Sequence, residues 1–131
     1  MANNLSCVLS PFYTGVYQVV NDPSFDSIIS WSKSNKSFII WNPKEFHSKI
    51  LSRPGPIHCS NFTMFFYDLK FYGFKRAKVS QHLEFGNANF VRGQPELLPK
   101  MQRKAISKNC RRFEAKARAE KSADRLQYLG I

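Results

Sequence analysis

The sequence is short of acidic residues: nine Asp and Glu stand against twenty Lys and Arg, giving a formal net charge of +11 over 131 residues and a pI near 9.9. That imbalance calls for an anionic partner, with nucleic acid, an anionic membrane surface and an acidic protein as the candidate classes. Cysteine is scarce too. Cys7, Cys59 and Cys110 lie far apart with no CxxC pair, which indicates neither a disulfide framework nor a zinc site and makes reduced thiols in a cytosolic or nuclear setting the expectation. No window approaches the ~18 consecutive apolar residues of a spanning helix, and no basic segment precedes an apolar one at the N-terminus, so neither membrane insertion nor secretion is expected. Internal repeats and low-complexity tracts are missing. His47, His58 and His82 are dispersed, and no HExxH, GxSxG, P-loop or GxGxxG occurs. The expectation is no enzyme, no metal site and no cofactor; His58 beside Cys59 on a Pro-Gly loop reads as incidental.

What the sequence does have is apolar mass: 43% hydrophobic and 15% aromatic residues, twelve of them Phe. A chain so composed folds around a core, and its length suits one compact domain plus a tail. The charge is unevenly spread. Up to Pro99 there are ten Lys/Arg and six Asp/Glu, a net +4; from Lys100 to Ile131 there are ten and three, a net +7. The expected organisation is an N-terminal arm over 1–10, a globular domain over 11–99 and a basic, helical or flexible tail over 100–131.

Along the domain, Phe12, Val16, Val19 and Val20 fall at helical spacing between Pro11 and Asn21, and Asn21-Asp22-Pro23 ends the run. Ser27–Ser32 and Ser37–Trp41 are short β-branched and aromatic runs joined by Lys33-Ser34-Asn35-Lys36, which predicts a hairpin. Asn42 followed by Pro43 predicts a capped second helix to about Leu51. After the loop SRPGPIHCS, Ser60 or Asn61 caps a third helix in which Phe62, Phe65, Phe66 and Leu69 face inward and Gly73 supplies the left-handed stop. Phe74–Val79 and His82–Phe85 predict a second hairpin. The order α, β, β, α, α, β, β defines an α+β fold, a winged helix-turn-helix made of a three-helix bundle with a small antiparallel β-sheet.

These residues carry a family resemblance. Pro11–Phe46 (PFYTGVYQVVNDPSFDSIISWSKSNKSFIIWNPKEF), Asn61-Phe62, Tyr72–Arg76 (YGFKR), Glu84–Gln94 (EFGNANFVRGQ) and Leu97-Leu98 resemble the DNA-binding domain of heat shock (heat stress) transcription factors, the tight Val79–Leu83 turn being similar to the plant form. The resemblance implies a nuclear DNA-binding transcription-factor module of the stress response. It implies base reading by the third helix, through a segment S-S-F-[IV]-R-Q-L-N-T-Y-G-F whose Arg is the main reader of guanine in GAA-type repeats. This chain has TMFFYDLKFYGF from Thr63 to Phe74, with Tyr67 in place of that Arg, Asp68 in place of the Gln and Lys70 in place of the Asn. A phenol lacks the guanidinium fork, a contact worth about 1–3 kcal/mol of discrimination, so weakened or altered specificity is the expectation. The loop from Ser52 to Ser60 is about two residues longer than the family's, and Ile106, Cys110, Phe113 and Ala117 form too brief a stripe for a trimerising coiled coil.

The candidate DNA-facing residues are therefore Thr63, Met64, Tyr67 and Lys70 on the third helix, Lys75, Arg76 and Arg92 at positions resembling phosphate contacts, and Arg103 and Lys104 in the tail. Met64, Tyr67 and Phe71 also form an outward apolar stripe, which has two readings: a protein-partner surface in a module that keeps the fold but does not read DNA, or side chains that complete the core. The tail's cations read as phosphate contacts or a nuclear-import signal at Arg103-Lys104 and Arg111-Arg112, in preference to a merely solvated helix face.

Overall fold

The computed structural model describes residues 8–57, 59, 61–78 and 80–129, those from 114 onward by their backbone alone. Residues 1–7 of the arm, His58, Ser60, Val79 and the side chains of Ala117 and the later tail cations lie outside the described residues.

Helix α1, Pro11–Val20, starts where the Ser10 hydroxyl accepts from the Phe12 N–H, and proline at its first position loses no hydrogen bond there. It buries Tyr13, Val16, Val19 and Val20 against the sheet and the other helices. Gly15 on the same face sits under the Pro-Gly-Pro loop, so close that a Cβ would stand 2.0 Å from the Pro56 carbonyl oxygen. Strands β1, Ile29–Trp31, and β2, Ser37–Ile40, form the expected hairpin, its turn closed by Asn35 at φ +60. All four β2 residues are buried.

Helix α2, Pro43–Phe46, is capped by Asn42, whose side chain accepts from the Glu45 N–H at 3.1 Å. It widens into a π turn over His47–Leu51. Ile50 and Leu51, within this turn, are both buried in the core. Helix α3, Phe62–Phe71, is capped by Asn61, whose side chain accepts from the Met64 N–H at 2.9 Å. At its end the Phe74 N–H donates to Leu69 and the Gly73 N–H to Lys70, with Gly73 at φ +102, which is a Schellman stop.

Strands β3, Lys75–Arg76, and β4, Leu83–Gly86, complete one antiparallel sheet in the order β1-β2-β4-β3. β3 is shorter than the sequence pattern predicts. Phe65, Phe38, Phe46 and Phe90 are fully buried at the centre, and Phe74 packs edge-on against Phe38 and Phe90.

Helix α4, Leu98–Leu129, is one continuous element. The charge break at Pro99 falls inside its first turn, where proline is tolerated, and Leu98, Met101 and Ala105 are buried in the core. Its buried Gln102 accepts from the Ser10 N–H at 2.6 Å and donates to the Val8 carbonyl at 2.9 Å, so the helix also holds the lead-in to α1. Further along, Ile106, Cys110 and Phe113 are exposed.

Candidate nucleic-acid interface

The amphipathic period of α3 sets the face it offers. Phe65 and Leu69 are fully buried, while Phe62 and Phe66 sit at the rim, Phe62 against Phe46 and Phe66 stacked on Phe85 of β4. The opposite face then carries Met64, Tyr67 and Phe71 at 47, 68 and 57% exposure, so none of the three completes the core. Thr63 and Lys70 are exposed beside them, and with Phe66 and Tyr67 they line a shallow depression on the helix. Asp68 is half-buried, its carboxylate 3.8 Å from the Cys59 thiol at the edge of this face.

Two contacts tie the end of α3 to α1. The Tyr13 phenol donates to the Tyr72 carbonyl at 2.7 Å, and Phe12 stacks on Tyr72 with ring centres 4.5 Å apart. Burial pushes the Tyr13 phenol well above its ordinary pKa, and the nearby Tyr72 adds to the shift. The helix is therefore presented on a rigid base.

The remaining candidates divide among three surfaces. Lys75 and Arg76 of β3 are exposed and line a groove with Lys70, continuous with the α3 face. Arg92 lines a different depression, with Asn21, Asp26 and Trp31 near the end of α1. Arg103 and Lys104 are exposed on a side of α4 shared with Ser107 and Arg111. The structure thus brings Lys70, Lys75 and Arg76 together, puts Arg92 in a separate depression, and puts Arg103 and Lys104 together in another that shares Lys108 with the groove. Lys78, Lys108 and Arg112 join the Lys75–Arg76 groove; Lys78 was not a sequence candidate, and Lys108 and Arg112 entered only as part of the tail's basic run. The spacing 105, 108, 109, 112 is the signal for the last two, because a helix buried at Ala105 turns those positions to the same side. Among the described residues, no cluster of His, Cys, Asp and Glu is suited to a metal, and no helix is long and apolar enough to cross a membrane.

A helix-loop-helix packed on a small antiparallel sheet, with an exposed third helix, defines the winged-helix class of DNA-binding domain. The HSF-type DNA-binding pattern matches residues 12–104, and this chain belongs to that family. It is a family of DNA-binding regulators, not of enzymes. Heat stress transcription factor A-4a of Arabidopsis thaliana is 48% identical over 99 residues, covering 76% of this chain and 24% of that protein. Heat stress transcription factor B-2a of the same plant is 40% identical over 98 residues, 75% of this chain and 32% of the relative. The chain thus spans about a quarter to a third of the length of these two relatives. Among solved structures, Skn7 of Chaetomium thermophilum with HSE DNA superposes with a TM-score of 0.62 at 27% identity, over 70% of this chain and 97% of that one. A heat shock transcription factor DNA-binding domain with its cognate DNA gives 0.53 at 27% identity, over 62% and 96%.

Proposed function

We propose that this chain is a nuclear transcription-factor module that docks on double-stranded DNA with α3 toward the major groove, held by phosphate contacts and reading sequence weakly or differently from its relatives. The observation that carries this reading is the exposed α3 face itself, with Tyr67 at its centre between Thr63 and Lys70, in a chain of an HSF-type DNA-binding family. Relatives solved with DNA in place support a duplex partner. Met64 would contact base edges or sugar by van der Waals contact, while Lys70, Lys75, Arg76, Arg92, Arg103 and Lys104 supply phosphate neutralisation. A tyrosine hydroxyl offers one donor and an acceptor, so it discriminates bases less sharply than the bidentate fork of arginine.

The test is a salt titration of binding to GAA-repeat and random duplexes with the wild type and Tyr67→Arg. Steep salt dependence with little sequence preference is expected for the wild type, and a preference of about tenfold or more for GAA repeats in the variant. Salt-insensitive or absent binding, together with no gained preference, overturns the reading.

A second reading is favoured by the exposure of Met64, Tyr67 and Phe71: a protein-interaction or decoy module that uses this stripe for a partner. Such a complex persists at high salt, where a DNA complex dissociates.

A further inference from the structure

The groove that Lys75 and Arg76 enter has a composition that α3 docking alone does not account for. It is about 620 Å³ in volume and lies between the end of α3, β3, the turn that follows β3, and α4. Six cations line it: Lys70, Lys75, Arg76, Lys78, Lys108 and Arg112. Among the described residues no Asp or Glu lines it, and none of the six has an ion-pair partner; the ion pair found among those residues, Lys49 with Glu45, is elsewhere.

We propose that this groove holds the phosphate backbone of the same DNA duplex, just outside the stretch covered by α3. The inference rests on the DNA-docking reading above and extends it to α4. Like charges gathered from four elements repel one another, and a polyanion laid among them removes that cost. Phosphodiesters fit better than an isolated anion, because along one strand a negative charge recurs roughly every 3.4 Å of duplex axis and successive phosphates can meet several cations in turn. Lys70 lines both this groove and the depression around Tyr67, so a strand leaving the α3 face runs directly into it.

The groove is also fixed in shape. The Asn109 amide donates to the Phe71 carbonyl at 2.8 Å, and Gly73 sits where a Cβ would be 3.5 Å from that of Ala105. Lys108 and Arg112 are therefore carried by a helix anchored to the rest of the domain, which lowers the ordering cost that a free basic tail has on binding.

The test compares Lys108→Gln/Arg112→Gln with Lys44→Gln/Arg53→Gln, an equal charge loss at exposed positions outside the groove. Both are made in the full chain. Binding is measured against salt on two duplexes, one cut to the α3 footprint and one extended by a turn on each side. On the extended duplex the groove variant is expected to lower the salt slope by about 1.8, two contacts at ~0.9 each, and the control to leave it nearly unchanged. On the short duplex the two variants should behave alike. Equal slopes for both variants on the extended duplex, or an effect that persists undiminished on the short one, overturn the groove assignment while leaving α3 docking intact. If the wild type binds neither duplex, the docking reading falls and the groove inference with it. An RNA or acidic-peptide ligand that binds through Lys108 and Arg112 while DNA does not also overturns it.

Discussion

The Tyr13 hydroxyl donates to the Tyr72 carbonyl across 2.7 Å, joining the first turn of α1 to the residue that ends α3. Its phenol is fully buried and its pKa is raised, chiefly by desolvation. The unfolded chain therefore ionises Tyr13 first, near pH 10, while the folded chain resists. Stability that is fully present below pH 10 is lost as the pH rises above it. Tyr13→Phe should cost about 1 kcal/mol at neutral pH and flatten the alkaline decline in the thermal midpoint. An unchanged alkaline slope in the variant would show that other groups govern it.

Gly15→Ala sets two effects against each other. Alanine gains about 1 kcal/mol of helix propensity, but the new methyl meets backbone atoms of Pro56 at 2.0 and 2.9 Å, which cannot rotate away. The overlap wins, and a net loss of about 1–3 kcal/mol is expected in chemical denaturation. Gly55→Ala in the same loop has nothing within 4 Å and should be close to neutral.

Asn61 permits a separation of folding from binding. Asn61→Ala removes the α3 cap and should cost about 1 kcal/mol. Asn61→Asp keeps the cap and suits the helix N-terminus, so stability should hold. If α3 approaches phosphates, the added negative charge should still weaken DNA binding several-fold at low salt. Unaltered binding by the Asp variant would argue against α3 docking.

Asp68 is a carboxylate at the edge of the same face. A unit charge about 7 Å from a phosphate costs about 0.6 kcal/mol in water, or roughly threefold in affinity. Asp68→Asn should recover about that factor at low salt and nothing at high salt, as read by fluorescence anisotropy.

Much of the fold could be read from local chemistry. The caps at Asn42 and Asn61, the stop at Gly73 and the apolar period of α3 are each set by residues within a turn of one another, and all appear as the pattern predicts. The outward placement of Met64, Tyr67 and Phe71 follows from the same period. The π turn of α2 is different: its apolar pair Ile50 and Leu51 looks like the Val19-Val20 pair that a regular α-helix buries in α1, so nothing local announces it. Likewise Pro99 and the rise in charge mark a boundary in composition, while the packing of Leu98 and Met101 carries the core across it. The cationic groove was least legible: Lys75 and Arg112 are 37 positions apart, and the hydrogen bond that ties α4 to the end of α3 beside the groove is an asparagine amide on a backbone carbonyl, which leaves no compositional trace.

Gln102 uses both ends of its amide on the backbone at Val8 and Ser10, the latter being the residue that caps α1. The basic helix and the start of the domain are thereby one mechanical unit. A ligand that pulls on α4 near Gln102 loads the first turn of α1 through these two hydrogen bonds, with no intervening moving part. The far end of that helix is another matter: Leu129 lies roughly 40 Å beyond Gln102 at about 1.5 Å per residue, so α4 acts as a lever whose inner end alone is fastened to the start of the domain.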